Sequence, residues 1–345
     1  MTLDDMTPAL LSQLHRPPLE VVDRRPHAHT ADHRHIYRET VVNPPLACPS
    51  FRCGGSSSPY SGVHVASGSP HQTVRNNSHY LSMTIDDFDF TADEVQSRLH
   101  AAFEAARGKD EFEFACTLLR MRGMEDAGWD PFVETYRLVE DLTALVAAPL
   151  AVHTKVRLGL LLYSHLTEVG AIYDLLANLM RVVRGERYSI DPFLAAASRN
   201  RKDEARFLST PAKVRALQAA LQEDGHKEMS EVVDWFFNPS VRNAFAHADY
   251  TLHQDKFRCR SESFERGGVQ TPELPLEVLA ELFNRSVCFY DAFMHEYEGQ
   301  RKSYIANKIV LGRFAGDDRQ EPVELQADPI RGLYGFRSPP GKPSS

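Results

Sequence analysis

The chain has 345 residues, an apolar share of 42% and a formal net charge of −8. This length fits roughly two average domains, and the apolar share is that of a protein with a core. No run of about 18 apolar residues occurs, and the N-terminus lacks the basic-then-apolar order of a secretory signal. We therefore expect a cytoplasmic protein without membrane contact. The negative charge disfavours a surface that is basic throughout but leaves room for a local basic groove.

Residues 1–82 differ in composition from the rest of the chain. They hold nine of the 21 prolines and eight of the 15 histidines, they contain no lysine, and they show no sustained apolar period. Such a stretch buries too little apolar surface to offset its chain entropy, so we predict a disordered N-terminal segment. Met83 lies where the globular pattern begins, which also fits an over-long gene start.

The metal-binding residue types lack the spacing of a metal site. His27 and His29, and then His33 and His35, form pairs that could touch a metal, but no Cys or carboxylate stands at a fixed distance from them. The five cysteines are scattered without a Cys-x-x-Cys pair, which predicts reduced thiols. We predict neither a metal site nor a cofactor; these cysteines are Cys48, Cys53, Cys116, Cys259 and Cys288.

Residues 83–300 carry the pattern of an antiparallel helical bundle. A capping box at Thr91-Ala92-Asp93-Glu94 opens the first helix. The stretch from Leu150 to Val183 indicates one long central helix, rich in leucine. The apolar periodicity predicts further helices over 111–121, from 130, over 209–221, 229–237 and 276–297.

Two parts of the chain have strand-like patterns. Residues 250–253 and 256–260 flank Gln254-Asp255, which predicts a small β-hairpin insert. In the C-terminal tail, residues 301–345, the segments Ile309-Val310-Leu311 and Val323-Glu324-Leu325 predict an extended segment or a β-ribbon. The sequence thus predicts a mainly α fold with small β additions.

The stretch from Val241 to Tyr250 combines an arginine, an amide and a histidine on one predicted helix. Asn238 is suited to cap this helix and Pro239 to occupy its first position. At about 100° per residue, one side of the helix is apolar and the other polar. The polar side holds Arg242, Asn243, His247, Asp249 and Tyr250, and the apolar side holds Val241, Ala244, Phe245 and Ala248.

Two other groups of residues are candidates for the same site. His165 and Glu168 share a stripe with Leu161 and Ile172 and are expected to point inward, either as a structural hydrogen-bonded pair or as a border of the motif's polar side. A basic group with an aromatic tip ends the long helix and could bind phosphate or RNA, although cations at a helix C-terminus are favoured anyway. This group consists of Arg181, Arg184, Arg187 and Tyr188.

The sequence Arg242-Asn243-Ala244-Phe245-Ala246-His247 resembles the Arg-Asn-x-x-x-His signature of HEPN domains. The resemblance implies an all-helical, HEPN-like bundle over about residues 90–300. It also implies a metal-independent endoribonuclease of phage defence or toxin–antitoxin systems, with Arg242 and His247 as the catalytic pair and Asn243 beside them. Other members of the family are non-catalytic modules. The hairpin insert and the C-terminal extension depart from a minimal domain of this kind.

The chemistry of RNA cleavage fits these residue types. RNA carries its own nucleophile, so a histidine that moves protons and an arginine that neutralises phosphate charge suffice without a metal. On an ideal helix Arg242 and His247 lie about 140° apart, so we expect a homodimer in which two motifs face each other.

Other interpretations remain open at this stage. The protein could be a non-catalytic module that binds RNA, an antitoxin or a regulatory protein. It could be a phosphate- or nucleotide-binding regulator that uses the arginines at 181, 184 and 187. The motif could also be structural, with Arg242 paired to Glu168 or Asp249 and His247 bonded within the helix packing.

Overall fold

The structure, a computed structural model of the chain, describes residues 90–120, 131–197, 208–266, 268–313 and 319–339. The predicted disordered segment, residues 1–82, and the domain boundary at Met83 lie outside these ranges. The histidine pairs His27/His29 and His33/His35 also lie outside the described residues.

The described part of the chain is mainly helical, as the sequence predicts. Most predicted helix ends agree with the observed ones to within a few residues. The helices are α1 (Ala92–Lys109), α2 (Glu111–Leu119), α3 (Pro131–Ala147), α4 (Val152–Thr167), α5 (Gly170–Val183), α6 (Leu194–Ala197), α7 (Thr210–Glu223), α8 (Lys227–Phe236), α9 (Pro239–Ala246) and α10 (Leu276–Lys302).

Local chemistry explains where several of these helices begin. Thr91 caps α1 and Glu94 reaches back to the Thr91 amide, which completes the predicted capping box. Asp110 separates α1 from α2, and its carboxylate accepts from the amides of Phe112 and Glu113. Short polar caps therefore turn the chain between packed helices.

The prediction of one long helix from Leu150 to Val183 is wrong. The helix is interrupted at Glu168 and Val169, which separate α4 from α5. Val169 has ψ near 80°, outside the helical region, and Gly170 opens the next helix. The Tyr173 hydroxyl donates to the Thr167 carbonyl at 3.0 Å, which satisfies a group that the helix end exposes. The break places Glu168 at a helix end.

Helix α10, rather than the predicted 150–183 helix, lies at the centre of the core. It packs against α1, α4 and α8, and one face of it carries a stripe of buried, mostly apolar residues. These residues are Leu279, Leu282, Phe283, Ser286, Phe289, Tyr290 and Phe293.

A glycine lets α4 and α10 approach closely. A Cβ at Gly159 would overlap two ring carbons of Phe283, whose side chain is buried. Any larger residue at Gly159 must displace this ring, and protein cores resist such overpacking.

Within the described ranges, three small antiparallel sheets accompany the helices. The predicted hairpin is confirmed as β1 (Tyr250–His253) and β2 (Lys256–Cys259), and β5 (Glu273–Pro275) adds a third strand beside β2. The segment between β2 and β5 forms a separate two-stranded ribbon, in which β3 (Phe264–Arg266) pairs with β4 (Val269–Thr271).

The C-terminal tail forms its own antiparallel sheet. The predicted ribbon is present as β6 (Lys308–Gly312) paired with β7 (Glu321–Asp328), and β8 (Gly332–Arg337) adds a strand that the sequence reading missed. The sheet packs on α2 and α10. No helix in the described ranges has the length and apolar character that crossing a bilayer would need.

Replacing Gly159 tests the α4–α10 contact. We expect Gly159→Ala to lower the free energy of unfolding by about 1–3 kcal/mol, because the added methyl collides with the Phe283 ring. Urea denaturation measures this. Gly108→Ala is the matched control: no atom lies within 4 Å of its Cβ position, so alanine is expected to stabilise α1. Equal shifts in the two variants would contradict the packing argument.

Asp234 predicts a pH-dependent stability. Burial raises the pKa of this carboxyl to about 6, against a hydrogen bond from Gln218 that lowers it. The folded state therefore binds the proton more tightly than the unfolded state, and the stability falls as the pH rises from about 4 through 6. We expect Asp234→Asn to stabilise the protein by about 1–2 kcal/mol above pH 6 and to change little below pH 4.

The control for this titration has the opposite sign. Hydrogen bonds from Arg331 lower the pKa of the Asp328 carboxyl, so Asp328→Asn is expected to lose stability above pH 4. Thermal unfolding from pH 4 to 8 compares the two variants. A pH-independent shift for Asp234→Asn would refute the assignment.

Candidate functional site

The motif helix α9 is fixed at its start by a cap and by a buried tyrosine. The Asn238 side chain accepts from the Val241 amide at 3.0 Å, and Pro239 occupies the first turn, as predicted. The Tyr163 hydroxyl, on α4, accepts from the Asn238 amide at 2.7 Å and donates to the Phe236 carbonyl at 3.1 Å. Three aromatic residues directly before the motif helix are buried, so α9 begins from a rigid point. These residues are Trp235, Phe236 and Phe237.

Helix α9 ends earlier than predicted, since the sequence pattern places residues through Tyr250 on this helix. Its last residue is Ala246, and His247 is the C-cap. The Asp249 amide then donates to the Ala244 carbonyl and the Ala248 amide to the Phe245 carbonyl, the hydrogen-bond pair of a Schellman motif. Ala248 has φ of 52°, a left-handed conformation that usually requires glycine. Asp249 and Tyr250 are therefore not on the motif helix. Ala248, which was predicted on the apolar side, is exposed to solvent.

Arg242 lies in a polar cluster at the break between α4 and α5. Its Nε donates to the Glu168 carboxylate and its Nη1 donates to the Asn243 side chain at 3.0 Å. Thr210, at the start of α7, donates to the other Glu168 oxygen at 2.7 Å. The Arg242 side chain is 22% exposed and that of Glu168 36%, so the ion pair lies at the protein surface.

His247 is exposed at the end of the same helix. Asn243 lies between Arg242 and Glu262: its amide oxygen accepts from Arg242, and its nitrogen donates to Glu262 at 3.4 Å. The predicted arginine and amide are thus held together, whereas the histidine faces solvent.

His165 and Glu168 do not form a pair with each other. The His165 ring lies 3.0 Å from the Thr135 hydroxyl on α3, and burial lowers its pKa. Glu168 is exposed and contacts Arg242 instead. Leu161, expected in the same inward stripe, is 44% exposed. The inward placement is wrong for Glu168, which lies beyond the last residue of α4, and for Leu161, which faces solvent within that helix. Glu168 does border the motif.

Asp249 and Tyr250 have structural partners beside the motif. The Asp249 carboxylate accepts from the Ser261 amide at 2.8 Å, and this hydrogen bonding lowers its pKa, with smaller effects from Arg260 and His247. The Tyr250 ring stacks on Phe257 with ring centres 5.3 Å apart. Both residues join the motif helix to the hairpin.

The three arginines at the C-terminal end of α5 and just after it have acidic partners within the protein. Arg181 lies 2.8 Å from Glu186, and Arg184 lies 2.7 Å from both Glu186 and Asp224. Arg187 lies 3.6 Å from Glu113 and donates to the Arg313 carbonyl. Phosphate binding by these arginines stays a prediction, and the geometry favours a role in fixing this corner of the fold.

Two polar neighbours of the motif were missed at the level of sequence. Thr210 lies 42 residues from Glu168, and Glu262 lies 19 residues from Asn243. Both contacts depend on how separate elements pack, so no local sequence spacing predicts them. The Gly170 that follows Glu168 was the one available signal for the helix break.

Comparisons with family models, curated proteins and solved structures gave no match to this chain. The Arg242–His247 motif and the geometry around it are therefore the basis for proposing a function.

The left-handed Ala248 predicts an effect of glycine substitution. We expect Ala248→Gly to stabilise the protein by about 0.5–1 kcal/mol, because glycine adopts this backbone conformation without the penalty of a Cβ. The control, Ala246→Gly, replaces the last helical residue and is expected to destabilise by about as much. Both are measured by thermal unfolding, and a loss of stability in Ala248→Gly would argue against the Schellman ending.

Proposed function

We propose that the protein is a metal-independent endoribonuclease of the HEPN type, which cleaves RNA through attack of the 2′-hydroxyl. The observation that carries this proposal is the placement of Arg242 and His247 at the surface, on one capped helix, with Arg242 oriented by Glu168 and Asn243. The signature residues are thus accessible to a ligand rather than buried in packing. A role in phage defence or in a toxin–antitoxin pair belongs to this proposal.

The reaction uses the nucleophile of the RNA itself. A base takes the proton of the 2′-hydroxyl, the 2′-oxygen bonds to phosphorus, and the bond to the 5′-oxygen breaks. Arg242 neutralises the charge on the phosphoryl oxygens, and a histidine supplies a proton to the leaving 5′-oxygen. The products are a 2′,3′-cyclic phosphate end and a 5′-hydroxyl end.

The reaction needs an acid and a base, whereas one motif offers a single histidine. We therefore propose a homodimer whose motifs face each other, so that two histidines and two arginines share the site.

A non-catalytic module that binds RNA or a protein partner is the second candidate. The ion pair between Arg242 and Glu168 favours it, because a neutralised arginine attracts phosphate less strongly. An antitoxin or regulatory protein could then contact the same surface.

Cleavage of RNA in EDTA separates the two candidates. We expect the protein to cut unstructured RNA in EDTA and to leave cyclic phosphate ends. Arg242→Ala and His247→Ala are each expected to reduce the rate by about 100-fold or more, the loss typical of removing a proton-transfer or charge-stabilising group. Gel analysis of end-labelled RNA measures this.

Arg137→Ala serves as the control, since Arg137 forms an exposed ion pair within α3. RNA binding without any cleavage would support the second candidate. Cleavage that persists in both motif variants would exclude the motif as the active site.

A further inference from the structure

The outer face of the β1–β2–β5 sheet concentrates positive charge in a protein of net negative charge. Strands alternate sides, and the register places Thr251 opposite Arg258 and His253 opposite Lys256 on the same face. Arg260 follows in step at the end of β2, and its side chain is 90% exposed. We call Lys256, Arg258 and Arg260 the basic strand face.

Two carboxylates, Glu273 and Asp249, contact the three cations of this face. Glu273 contacts both Lys256 at 2.9 Å and Arg258 at 2.7 Å, so one anion serves two cations. A hydrogen bond from Lys256, with the charges of Arg258 and His253, lowers the pKa of the Glu273 carboxyl. Arg260 lies 3.6 Å from Asp249, whose carboxylate also accepts from the Ser261 amide. The face therefore keeps an excess of positive charge.

The opposite face of the sheet is sealed, so the basic face points away from the core. Phe257 and Leu274 are fully buried, and Cys259 is nearly so. The aromatic rings of Tyr250 and Phe257 stack beneath the hairpin. The inward side cannot accept a charged ligand, which leaves the outward side for binding.

The hairpin is held rigid at its tip. His153, at the start of α4, lies 2.8 Å from the Gln254 carbonyl, and the Leu276 amide donates to the Asp255 carbonyl at 2.8 Å. A hairpin backbone that is already fixed does not have to be ordered on binding, which favours a preformed binding surface over an adaptable one.

The basic strand face is continuous with the motif. Strand β1 begins three residues after His247, and Arg260 lies beside Asp249, two residues from His247. From there the four-residue strands extend about 10 Å along the surface. A chain of phosphates bound on this face would lead directly to His247.

We infer that the basic strand face binds the phosphate backbone of single-stranded RNA and directs it across His247. This inference rests on the proposed function and adds a substrate track to it. Contacts to phosphates carry no sequence information, so this face supplies affinity and orientation rather than base recognition.

Salt-dependent binding tests the track. The probe is an unstructured 20-nucleotide RNA, and every protein carries His247→Ala so that the RNA stays intact. We expect Lys256→Gln, Arg258→Gln and Arg260→Gln together to weaken binding by about tenfold or more near 0.1 M salt, and to reduce the log–log salt slope by about 2. Fluorescence anisotropy measures both quantities.

The matched control removes three cations from other elements: Lys227→Gln, Lys302→Gln and Arg331→Gln. It changes the net charge equally and is expected to alter the affinity by no more than about twofold. Circular dichroism confirms that both triple variants are folded. If the two triple variants bind equally, the track is refuted.

Cleavage by the otherwise unmodified protein distinguishes this failure from failure of the proposed function. Equal binding of the triple variants, together with cleavage that depends on His247, would leave the proposed function standing without the track. If the parent protein neither binds nor cleaves RNA, both are overturned.

Discussion

The arrangement of the site depends on the buried hydroxyl of Tyr163. It bonds to the Phe236 carbonyl and the Asn238 amide, the two backbone groups that flank the turn between α8 and α9. A buried amide left without a partner costs about 1–3 kcal/mol, so this contact strongly restrains where the motif helix begins. Tyr163 and Glu168 lie five residues apart on one stretch of chain. The group that places α9 is therefore rigidly connected to the group that binds Arg242.

Elements specified by local chemistry could be predicted from the sequence, and those specified by packing could not. The caps at Thr91 and Asn238, the apolar stripe of α10 and the hairpin turn at Gln254-Asp255 each depend on neighbours within a few residues. The helix break at Glu168 was missed because the surrounding leucines continue the apolar pattern across it. The partner of Arg242 was open between Glu168 and Asp249, and only the packing of α4 against α9 selects the former.

The end of the motif helix shows how a small sequence feature changes the site. An ideal helix through Tyr250 would place Asp249 and Tyr250 beside His247 on one polar side. The chain instead turns at Ala248, which has no glycine signal, and the following residues enter a β-strand. The hairpin consequently begins three residues after His247, and Ala248 and Asp249 are the only residues between them.

The Arg242–Glu168 ion pair is compatible with either role of the motif, and its energy explains why. A pair with side chains 22% and 36% exposed gains about 0–1 kcal/mol, because water and salt screen it. A phosphate that approaches Arg242 can form charge-assisted hydrogen bonds of at least similar strength and so displace part of this contact. Glu168 then fixes the Arg242 side chain before a phosphate binds, which would reduce the ordering cost of that binding. Full loss of the ion pair would be costly only where water is excluded, as at a dimer interface, and there two facing arginines would share the phosphate charge.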